Sequence, residues 1–436
     1  MNAGPDRPAG FDPALLHPGD GNWVAFSGGP DSLCLLDLAV AEVGAARVRA
    51  VHVDHRADSD SARRARRAVE LAARLGAECL VLKLDGNQAE SGLSPEHALR
   101  TARYAAIAGQ LRDGDRLLVA HHADDQLETR LQMLLRGSGA RGVAGMRPER
   151  PLPPGTLARP LLACTRTDLQ RWLDQRGLAP VEDPTNDALD ADRNWLRHRV
   201  LPRVLERWPG ARSAALLGAA RMHAAVDALV ERAAADVADL ALERHGETVL
   251  DRESLQGLEP FRAVEALRTW LIDTIGRAPP ETRLEHFLEQ SRSAGEDRQP
   301  ELDWDGGVLH AHGDAVWLDA APPPDPDWTV DWKHGDRIAL PHGLGHMEWS
   351  GGDRPGTRWQ VGAPRRGDRL DVGGVGRRRM ADLLREAGVP PWRRRGWPVL
   401  RIDDTPVALG ARWLDRAFRE HLGASGCRLS WRPGPA

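Results

Sequence analysis

The sequence predicts an α/β fold: a doubly wound parallel sheet in the first half, then a helical domain and a small C-terminal mixed α/β domain. Up to about residue 205, short apolar runs alternate with stretches of helical period. A long Ala- and Leu-rich stretch, from Ala214 to Ile275, also has helical periodicity. Beyond the proline-rich segment that begins at Ala321, short Trp- and Val-containing runs are separated by glycines. The predicted domains are residues 1–212, 213–320 and 328–436.

The elements of the first domain follow from its hydrophobic pattern. Apolar runs of strand length occur at residues 23–26, 48–53, 79–84 and 116–120. Amphipathic patterns predict helices over residues 31–43, 61–75, 95–111, 124–135 and 163–177. Strands separated by helices of this length form a parallel sheet covered on both faces. The proline-rich segment 148–155 interrupts the alternation.

Composition narrows the class of protein. The chain has 436 residues and a formal net charge of −4, so bulk charge does not mark it as a nucleic-acid binder. Its four cysteines form no CxxC pair, which argues against a zinc site or a disulfide framework. Positive charge is nearly all arginine, so guanidinium groups must make most phosphate contacts. We see neither a signal peptide nor an apolar run long enough to cross a bilayer, and expect a cytoplasmic protein without membrane contact.

A glycine-containing loop lies between the first predicted strand and the first predicted helix. It consists of Ser27, Gly28, Gly29, Pro30, Asp31 and Ser32. Glycines let backbone N–H groups approach a phosphate closely, and the helix N-terminus adds positive potential. The two serine hydroxyls can donate to phosphate oxygens, whereas Asp31 would be repelled by bare phosphate and is expected to act through Mg²⁺. The loop predicts ATP binding, although it is not a Walker A motif.

The pattern SGGxDS resembles the signature of the N-type ATP pyrophosphatases. This resemblance implies that the six loop residues bind ATP, and that ATP is split to AMP and pyrophosphate to activate a carbonyl oxygen. Membership alone does not name the substrate, because synthetases and tRNA-modifying enzymes share the loop.

A second segment places carboxylates at the start of a helix that follows a strand. It contains His122, Asp124, Asp125 and Glu128, with Arg136 further along. Asp124 and Glu128 are four residues apart and share a helix face. Clustered carboxylates at this edge of a parallel sheet can hold Mg²⁺ or an ammonium group. The segment is similar to an element of the lysidine synthetases. The resemblance implies that the three carboxylates are catalytic, that Asp125 joins Asp31 as a metal ligand, and that Asp125, Glu128, His122 and Arg136 contact substrate.

A third segment combines Glu182–Asn186 with a helix that begins near Arg193. Arg193 and Arg197 are one helical turn apart and could neutralise a phosphate or a developing negative charge. This segment also is similar to the lysidine synthetases, which implies catalytic roles for both arginines and a substrate contact for Asn194. The string around Arg103 and Tyr104 resembles another family element, and implies that Arg103 contacts substrate.

The adenosine side of the ATP site is expected near Asp54 and His55, which follow the second predicted strand. The segment that follows them departs from the family pattern and is two residues short. At the other end of the chain, an arginine-rich stretch over residues 360–415 resembles the family's C-terminal domain. Ten of the fifteen tryptophans lie beyond residue 300. Arginine beside exposed tryptophan suits RNA, because bases stack and phosphates need cations.

Taken together, the resemblance implies a lysidine synthetase. Such an enzyme uses ATP and Mg²⁺ to join L-lysine to C2 of the wobble cytidine of a tRNA(Ile) with a CAU anticodon, through an adenylated cytidine. The catalytic domain would be residues 1–212, and both later domains would contact the tRNA. Two alternatives stay open: another tRNA-modifying ATP pyrophosphatase such as a thiolase, and an inactive RNA-binding scaffold. The chain could be a monomer or a homodimer.

Overall fold

The structure is a computed structural model that describes residues 7–54, 61–84, 95–181, 192–294, 299–320, 325, 327–333, 336–351, 356, 358–373 and 376–434. The chain divides into two compact units, Met1–Asp227 and Ala228–Ala436.

The first unit alternates strands and helices, as predicted. Its strands are β1 (Asn22–Ala25), β2 (Val48–Asp54), β3 (Glu78–Lys83), β4 (Arg116–Leu118), β5 (Glu149–Leu152) and β6 (Gly155–Ala158). Its helices are α1 (Pro30–Val43), α2 (Ser61–Arg74), α3 (Pro95–Ala108), α4 (Ala123–Leu135), α5 (Ala140–Val143), α6 (Arg166–Arg176), α7 (Asp192–Trp195) and α8 (Leu201–Arg207). A π-helical stretch, Leu196–Val200, joins α7 to α8. The unit boundary falls within the long helix α9 (Ala211–Leu240).

The strands of the first unit form a sheet in the order β3-β2-β1-β4-β6-β5. All neighbouring pairs are parallel except the edge pair β5–β6. The predicted α/β class with a parallel sheet is therefore confirmed. Since the chain order reverses between β1 and β4, the carboxyl ends of these two strands flank the crevice where such sheets bind ligands. Both the phosphate loop and the carboxylate helix start at this crevice.

The structure differs from the prediction at the β5–β6 hairpin and at the start of helix α6. Pro151, Pro153 and Pro154 belong to the β5–β6 hairpin, where no strand was predicted. Proline is tolerated there because β5 is an edge strand with only one paired side. Helix α6 begins at Arg166 rather than Ala163, because Thr165 caps it: Asp168 N donates to Thr165 Oγ1 over 3.2 Å, and Thr165 N donates to Asp168 Oδ2 over 3.0 Å.

The second unit begins with an antiparallel sheet and three helices. Its strands are β7 (Ala241–Arg244), β8 (Glu247–Asp251), β9 (Glu301–Trp304), β10 (Gly307–His312) and β11 (Ala315–Asp319), in the order β7-β8-β11-β10-β9. Its helices are α10 (Arg252–Gly257), α11 (Pro260–Ile275) and α12 (Glu281–Ser293). The helical stretch predicted from Ala214 to Ile275 is therefore interrupted by the strands β7 and β8. Two residues with positive φ, His245 and Gly246, turn the chain between β7 and β8.

The remainder of the second unit is rich in short strands, as predicted for a small mixed domain. The strands are β12 (Thr329–Asp331), β13 (Arg337–Ala339), β14 (His346–Ser350), β15 (Trp359–Gly362), β16 (Arg369–Asp371), β17 (Arg377–Arg379), β18 (Val399–Ile402), β19 (Thr405–Leu409), β20 (Trp413–Leu414) and β21 (Arg428–Arg432). The helices are α13 (Met380–Glu386) and α14 (Arg416–Ser425). Trp349 and Trp359 pack edge to face in its core, with ring centroids 4.9 Å apart.

Arg393 joins the two parts of the second unit. It lies in a 3-10 turn, Pro391–Gly396, and its Nη2 is 2.5 Å from Asp319 Oδ1 at the end of β11. The same guanidinium pairs with Glu247 and lies 5.3 Å from the ring centroid of Trp317. A largely buried cation with two carboxylate partners fixes the turn against the antiparallel sheet.

Helix α9 is an exception to the expectation about apolar stretches. Among the described helices, it is the one whose length and mean hydropathy (1.2) would allow it to cross a membrane. That finding concerns length and composition only. The same helix carries Asp236, which is buried and forms an ion pair of 2.7 Å with Arg262 of α11.

Candidate active site

The phosphate loop runs from the end of β1 into α1 and closes on itself. The hydroxyl oxygens of Ser27 and Ser32 are 3.0 Å apart. Gly29 N donates to Ser27 Oγ over 3.2 Å, and Ser32 Oγ donates to the Gly29 carbonyl over 3.1 Å. These bonds hold both predicted serines on one small loop. Their hydroxyls lie where the first helical turn exposes its backbone N–H groups.

Gly28 needs the conformational freedom of glycine. Its φ is +85°, and a Cβ added there would lie 3.2 Å from Val181 Cγ2. Val181 N also donates to the Gly28 carbonyl over 2.9 Å. The segment after α6 therefore braces the loop from outside. Residues 182–186, which follow directly and open the third segment of the sequence analysis, lie outside the described residues.

The N-terminus of α1 has the properties of an anion site. Gly29 occupies the cap position without a side-chain hydrogen bond, and Pro30 is the first helical residue. The first N–H groups of a helix have no intrahelical acceptor, so those of Asp31 and Ser32 are available to a ligand. The Asp31 carboxylate is 35% exposed, which leaves it open to solvent and to a cation.

His122 connects the two helices that start at the crevice. It caps α4, and its Nε2 lies 3.6 Å from Asp31 Oδ2 and 3.5 Å from Asp125 Oδ2, while Nδ1 lies 3.6 Å from Asp124 Oδ2. Burial alone would lower the pKa of His122, but interactions with Asp124, Asp31 and Asp125 outweigh it and raise the pKa to about 10. His122 is therefore a buried imidazolium at neutral pH, surrounded by three carboxylates.

Asp125 and Glu128 are both paired with the predicted arginines. Asp125 Oδ1 accepts from Arg193 Nη2 over 2.7 Å and from Arg197 Nη2 over 3.0 Å. Glu128 Oε1 accepts from Arg197 Nε over 2.7 Å, and Oε2 accepts from Arg193 Nε over 3.0 Å and Arg197 Nη2 over 2.9 Å. Glu128 is 1% exposed, so this two-carboxylate, two-guanidinium cluster is the charged centre of the site.

Neighbouring charges keep Asp125 ionised. Burial favours its neutral form, but His122 and Arg193 outweigh this and hold the pKa of Asp125 below its usual range. Asp125 Oδ2 also accepts the backbone N–H of His122 over 3.0 Å, which closes a capping box at the start of α4. Both oxygens of Asp125 are thus occupied by protein donors.

Asp124 points to a different set of partners. Its Oδ1 accepts from Arg212 Nε over 2.6 Å, and its Oδ2 accepts from the backbone N–H of Arg166 over 3.1 Å. Burial disfavours its charge, but His122 and Arg212 hold the pKa of Asp124 well below its usual range. Of the three predicted carboxylates, Asp125 and Glu128 share the arginine pair, and Asp124 ties α4 to the starts of α6 and α9.

The arginines are presented by an irregular helix. Arg193 lies in α7 and Arg197 in the π-helical stretch, where the N–H of Leu201 donates to the carbonyl of Leu196, five residues back. Such turns insert one extra residue into a helix and occur often at functional sites. Asn194, predicted to contact substrate, is half-buried between the two arginines in sequence.

The remaining predicted residues have other surroundings. The Arg103 guanidinium lies 5.3 Å from the ring centroid of Tyr104, which also has Arg100 and Arg150 within 5.5 Å. Arg136 is exposed at the other end of α4, about 17 Å along the helix from Asp125. Asp54 ends β2, is buried, and accepts a hydrogen bond from Ser61. His55 lies outside the described residues.

Three residues near this cluster were not predicted from the sequence. His121 follows β4 and accepts from Arg159 Nε at its Nδ1 over 3.3 Å. Burial, with Arg159 and Arg193 nearby, lowers the pKa of His121 to about 3, against the opposing charge of Asp125. The paired histidines after a predicted strand were a usable signal for His121. Arg212 and Arg159 had none, because each lies in a stretch without a recognisable motif.

The described residues hold no cluster of three or more His, Cys, Asp or Glu side chains arranged for a metal ion. A cation that enters with phosphate ligands needs only one or two protein carboxylates. Asp31 fits this requirement, because its carboxylate is partly exposed beside the phosphate loop.

The cysteines of the first unit are not arranged for sulfur chemistry. All four are free, and Cys34 and Cys164 are buried. Burial raises the pKa of Cys164 to about 12 and that of Cys79 to about 11. Thiols with raised pKa values are poor nucleophiles at neutral pH, which argues against a catalytic cysteine in the first unit.

Known protein families match three parts of this chain. Residues 17–204 match the PP-loop domain, residues 250–317 the TilS substrate binding domain, and residues 359–431 the TilS substrate C-terminal domain. The first match contains the phosphate loop and the arginine–carboxylate cluster. The other two lie in the second unit.

Curated relatives are similar over nearly the whole chain. The tRNA(Ile)-lysidine synthase of Alkalilimnicola ehrlichii is 41% identical, over 94% of this chain and 94% of its own length. Those of Methylococcus capsulatus and Pseudomonas aeruginosa are 37% and 35% identical, over 96% and 95% of this chain and 98% and 94% of their own lengths. Among solved structures, the U34-tRNA thiolase NcsA from Methanococcus maripaludis has a TM-score of 0.41 and 14% identity, over 49% of this chain and 74% of that chain.

Proposed function

Because the chain belongs to the tRNA(Ile)-lysidine synthase family, a family of ligases that modify tRNA with an ATP-binding PP-loop domain, we propose that it joins L-lysine to C2 of the wobble cytidine of a tRNA(Ile) with a CAU anticodon. The observation that supports this most is the arrangement at the crevice. A phosphate loop, an imidazolium and an arginine–carboxylate cluster meet between β1 and β4. The phosphate loop suits a nucleotide. The arginine–carboxylate cluster suits an amino acid, which carries charges of both signs.

The loop would bind the triphosphate of ATP. Its free backbone N–H groups and the two serine hydroxyls favour phosphate oxygens, and the start of α1 adds positive potential. Mg²⁺ would be held by Asp31, whose carboxylate is partly exposed, because both oxygens of Asp125 are engaged by arginine and backbone donors until the substrates enter. When bound, the ion would neutralise charge on the departing pyrophosphate. His122 would keep Asp31 in place and offset its charge while the phosphates bind.

The reaction would then proceed in two displacements. The C2 carbonyl oxygen of the cytosine attacks the α-phosphorus, and the bond to pyrophosphate breaks. The lysine amine then forms a bond to C2, and the C2–oxygen bond breaks to release AMP. The attacking amine must first lose a proton, so a carboxylate has to accept one from the ammonium group.

Asp125 or Glu128 would be that carboxylate, after an exchange of partners. Their oxygens are filled by Arg193 and Arg197, whose side chains are 31% and 27% exposed and so less enclosed than the acids. Phosphate groups entering the crevice attract guanidinium groups and can draw them away from the acids. The released carboxylate would then bind the lysine ammonium, and the arginines would stabilise charge on the adenylate.

A lysine-dependent assay tests the proposal. Purified protein, ATP, Mg²⁺ and a tRNA(Ile) transcript with a CAU anticodon are mixed with or without L-lysine, and AMP is measured. We expect AMP release that requires both lysine and the transcript, and a modified base at the wobble position. The matched control is the same transcript with uridine at that position, which should give background release. Equal release without lysine would refute the ligation.

The same assay addresses the alternative of a thiolase. A thiolase would release AMP with a sulfur donor in place of lysine and would depend on cysteine. The raised thiol pKa values favour the ligase.

We further propose that residues 213–320 and 328–436 contact the tRNA and that the enzyme acts in the cytoplasm, as a monomer or homodimer. Loss of tRNA affinity when residues after Ala321 are removed would support the RNA role of the last domain.

A further inference from the structure

The helical segment 192–207 presents two different faces. The inner face contains Leu196 and Leu201, which are buried, together with Arg193 and Arg197, which hold Asp125 and Glu128. This face belongs to the active site already described. The outer face has no assigned role.

The outer face carries a regular line of exposed side chains, which we call the outer stripe. It consists of Trp195, Arg199, Arg203 and Arg207 at intervals of four residues, followed by Trp208. Trp195 is 51% exposed and Trp208 is 59% exposed. The stripe is about 18 Å long from Trp195 to Arg207, at 1.5 Å per residue.

The charges of this stripe are not neutralised within the protein. In the part of the chain that the structure describes, neither Arg199 nor Arg203 makes an ion pair or a hydrogen bond through its side chain. Arg207 lies over the ring of Trp208, with 5.6 Å between the guanidinium carbon and the ring centroid. Glu206 is the one acid among the exposed residues from Trp195 to Trp208. Three guanidinium groups therefore face solvent in a row.

The chemistry of the outer stripe matches one class of partner. Phosphodiester groups favour unpaired arginines, and unstacked bases favour exposed aromatic rings. A protein partner would bring fewer negative charges and would bury the tryptophans in an apolar core. A row of cations that ends in tryptophan on both sides suits single-stranded RNA better.

We propose that the outer stripe docks a single-stranded stretch of the RNA substrate beside the base that reacts. Its phosphates lie on Arg199, Arg203 and Arg207, and a base flanking the target stacks on Trp195. Trp195 lies between Arg193 and Arg197 in the sequence, so RNA on the outer stripe is held by the same helix that holds the catalytic carboxylates. This inference rests on the proposed function, because it takes a tRNA as the substrate.

Arginine variants with a matched control test the docking. The variant R199A/R203A removes two cations of the outer stripe, and R74A/R112A removes two exposed arginines at the opposite edge of the sheet. Affinity for the tRNA(Ile) transcript is measured by filter binding between 50 and 300 mM salt. We expect R199A/R203A to bind more weakly and to reduce the slope of log K against log salt by about 1.4, at roughly 0.7 per phosphate contact on single strands. The R74A/R112A variant should match the wild type.

Tryptophan variants test the stacking. Replacing Trp195 by Ala should weaken binding by about 5- to 100-fold, the effect of losing one stacked base, while W195F should keep most of the affinity. ATP affinity without RNA should be the same in all variants, which shows that the phosphate loop is intact.

The outcomes separate the two hypotheses. A wild-type protein that releases no AMP with lysine and tRNA would overturn the proposed function. If the wild type releases AMP with lysine and tRNA, but the stripe variants bind tRNA as well as the control variant does, only the docking proposal is overturned. A change in the sedimentation of R199A/R203A without a change in RNA affinity would show that the outer stripe is a protein interface, and would also overturn it.

Discussion

Arg197 and Glu128 form a two-point ion pair, in which Nε lies 2.7 Å from Oε1 and Nη2 lies 2.9 Å from Oε2. The pair joins the π-helical stretch to α4 and uses both oxygens of a carboxylate that is 1% exposed. A buried acid of this kind depends on its cation. The Arg197–Glu128 pair therefore affects both the stability of the first unit and the reaction proposed for the site.

Replacing Arg197 by Ala should destabilise the first unit. Glu128 would keep one hydrogen bond from Arg193 but would remain largely uncompensated, at a cost of about 3 kcal/mol in the free energy of unfolding. Denaturant unfolding followed by tryptophan fluorescence measures the change. The double variant R197A/E128Q should recover much of the stability, because the buried charge is gone. It should not recover lysine-dependent AMP release, and recovery of that activity would show that neither group takes part in the reaction.

Replacing Asp31 by Asn should abolish catalysis without unfolding the protein. The carboxylate is 35% exposed, so its loss leaves no buried charge behind, but the amide is a poor Mg²⁺ ligand. We expect tRNA-dependent exchange of pyrophosphate into ATP to fall at least about 100-fold, an effect typical of losing one charge-stabilising group. The control D20N changes an exposed aspartate elsewhere and should be silent. Full exchange in D31N would show that the metal is held by other groups.

The stability contributed by His122 should decline at alkaline pH. Its pKa is raised from 6.5 to about 10 in the folded state, so its contribution is fully present below about pH 6.5 and is lost as the pH rises to 10. Unfolding midpoints of the wild type and H122Q between pH 6 and pH 10 measure this. The gap between the two proteins should be widest near pH 6 and should close towards pH 10. A constant gap would mean that His122 is not charged in the folded protein.

Replacing Arg393 by Ala should destabilise the second unit, because Glu247 and Asp319 would lose their shared cation. We expect a cost of about 3 kcal/mol, the usual effect of breaking a buried ion pair. Thermal unfolding measures it. R416A, which breaks an exposed pair with Glu420 in α14, should cost under about 1 kcal/mol. ATP binding should be unaffected in both variants, and similar melting of R393A and R416A would contradict the structural role.

The sequence predicted most of what is set by local periodicity. The strands β1–β4 and helices α1–α4 lie within three residues of their expected bounds, because apolar spacing along one element reports its buried face. The resemblance of the phosphate loop and of the later motifs to the lysidine synthetases is confirmed. Asp125, Glu128, Arg193 and Arg197 were each singled out because their segments resemble those of the lysidine synthetases.

The remainder depended on contacts between distant segments. Arg193 and Asp125 are 68 residues apart, and no spacing rule shows that they pair. The positive charge of His122 could not be predicted from the sequence, because it depends on burial of the ring among three carboxylates. The β7–β8 hairpin was missed because Ala-Leu-Glu-Arg has high helix propensity, which the sheet pairing overrides. The β5–β6 hairpin was hidden by prolines that only an edge strand tolerates.

The π-helical stretch between α7 and α8 determines how far the residues after it are rotated about the helix axis relative to those before it. If the same residues formed a regular α-helix, everything after Val200 would be rotated by about 100° relative to Arg193. Arg203 and Arg207 would then leave the line of Trp195, although Arg193 would still reach its carboxylates. The π-helical stretch therefore sets how the outer stripe is oriented relative to the face that carries Arg193 and Arg197.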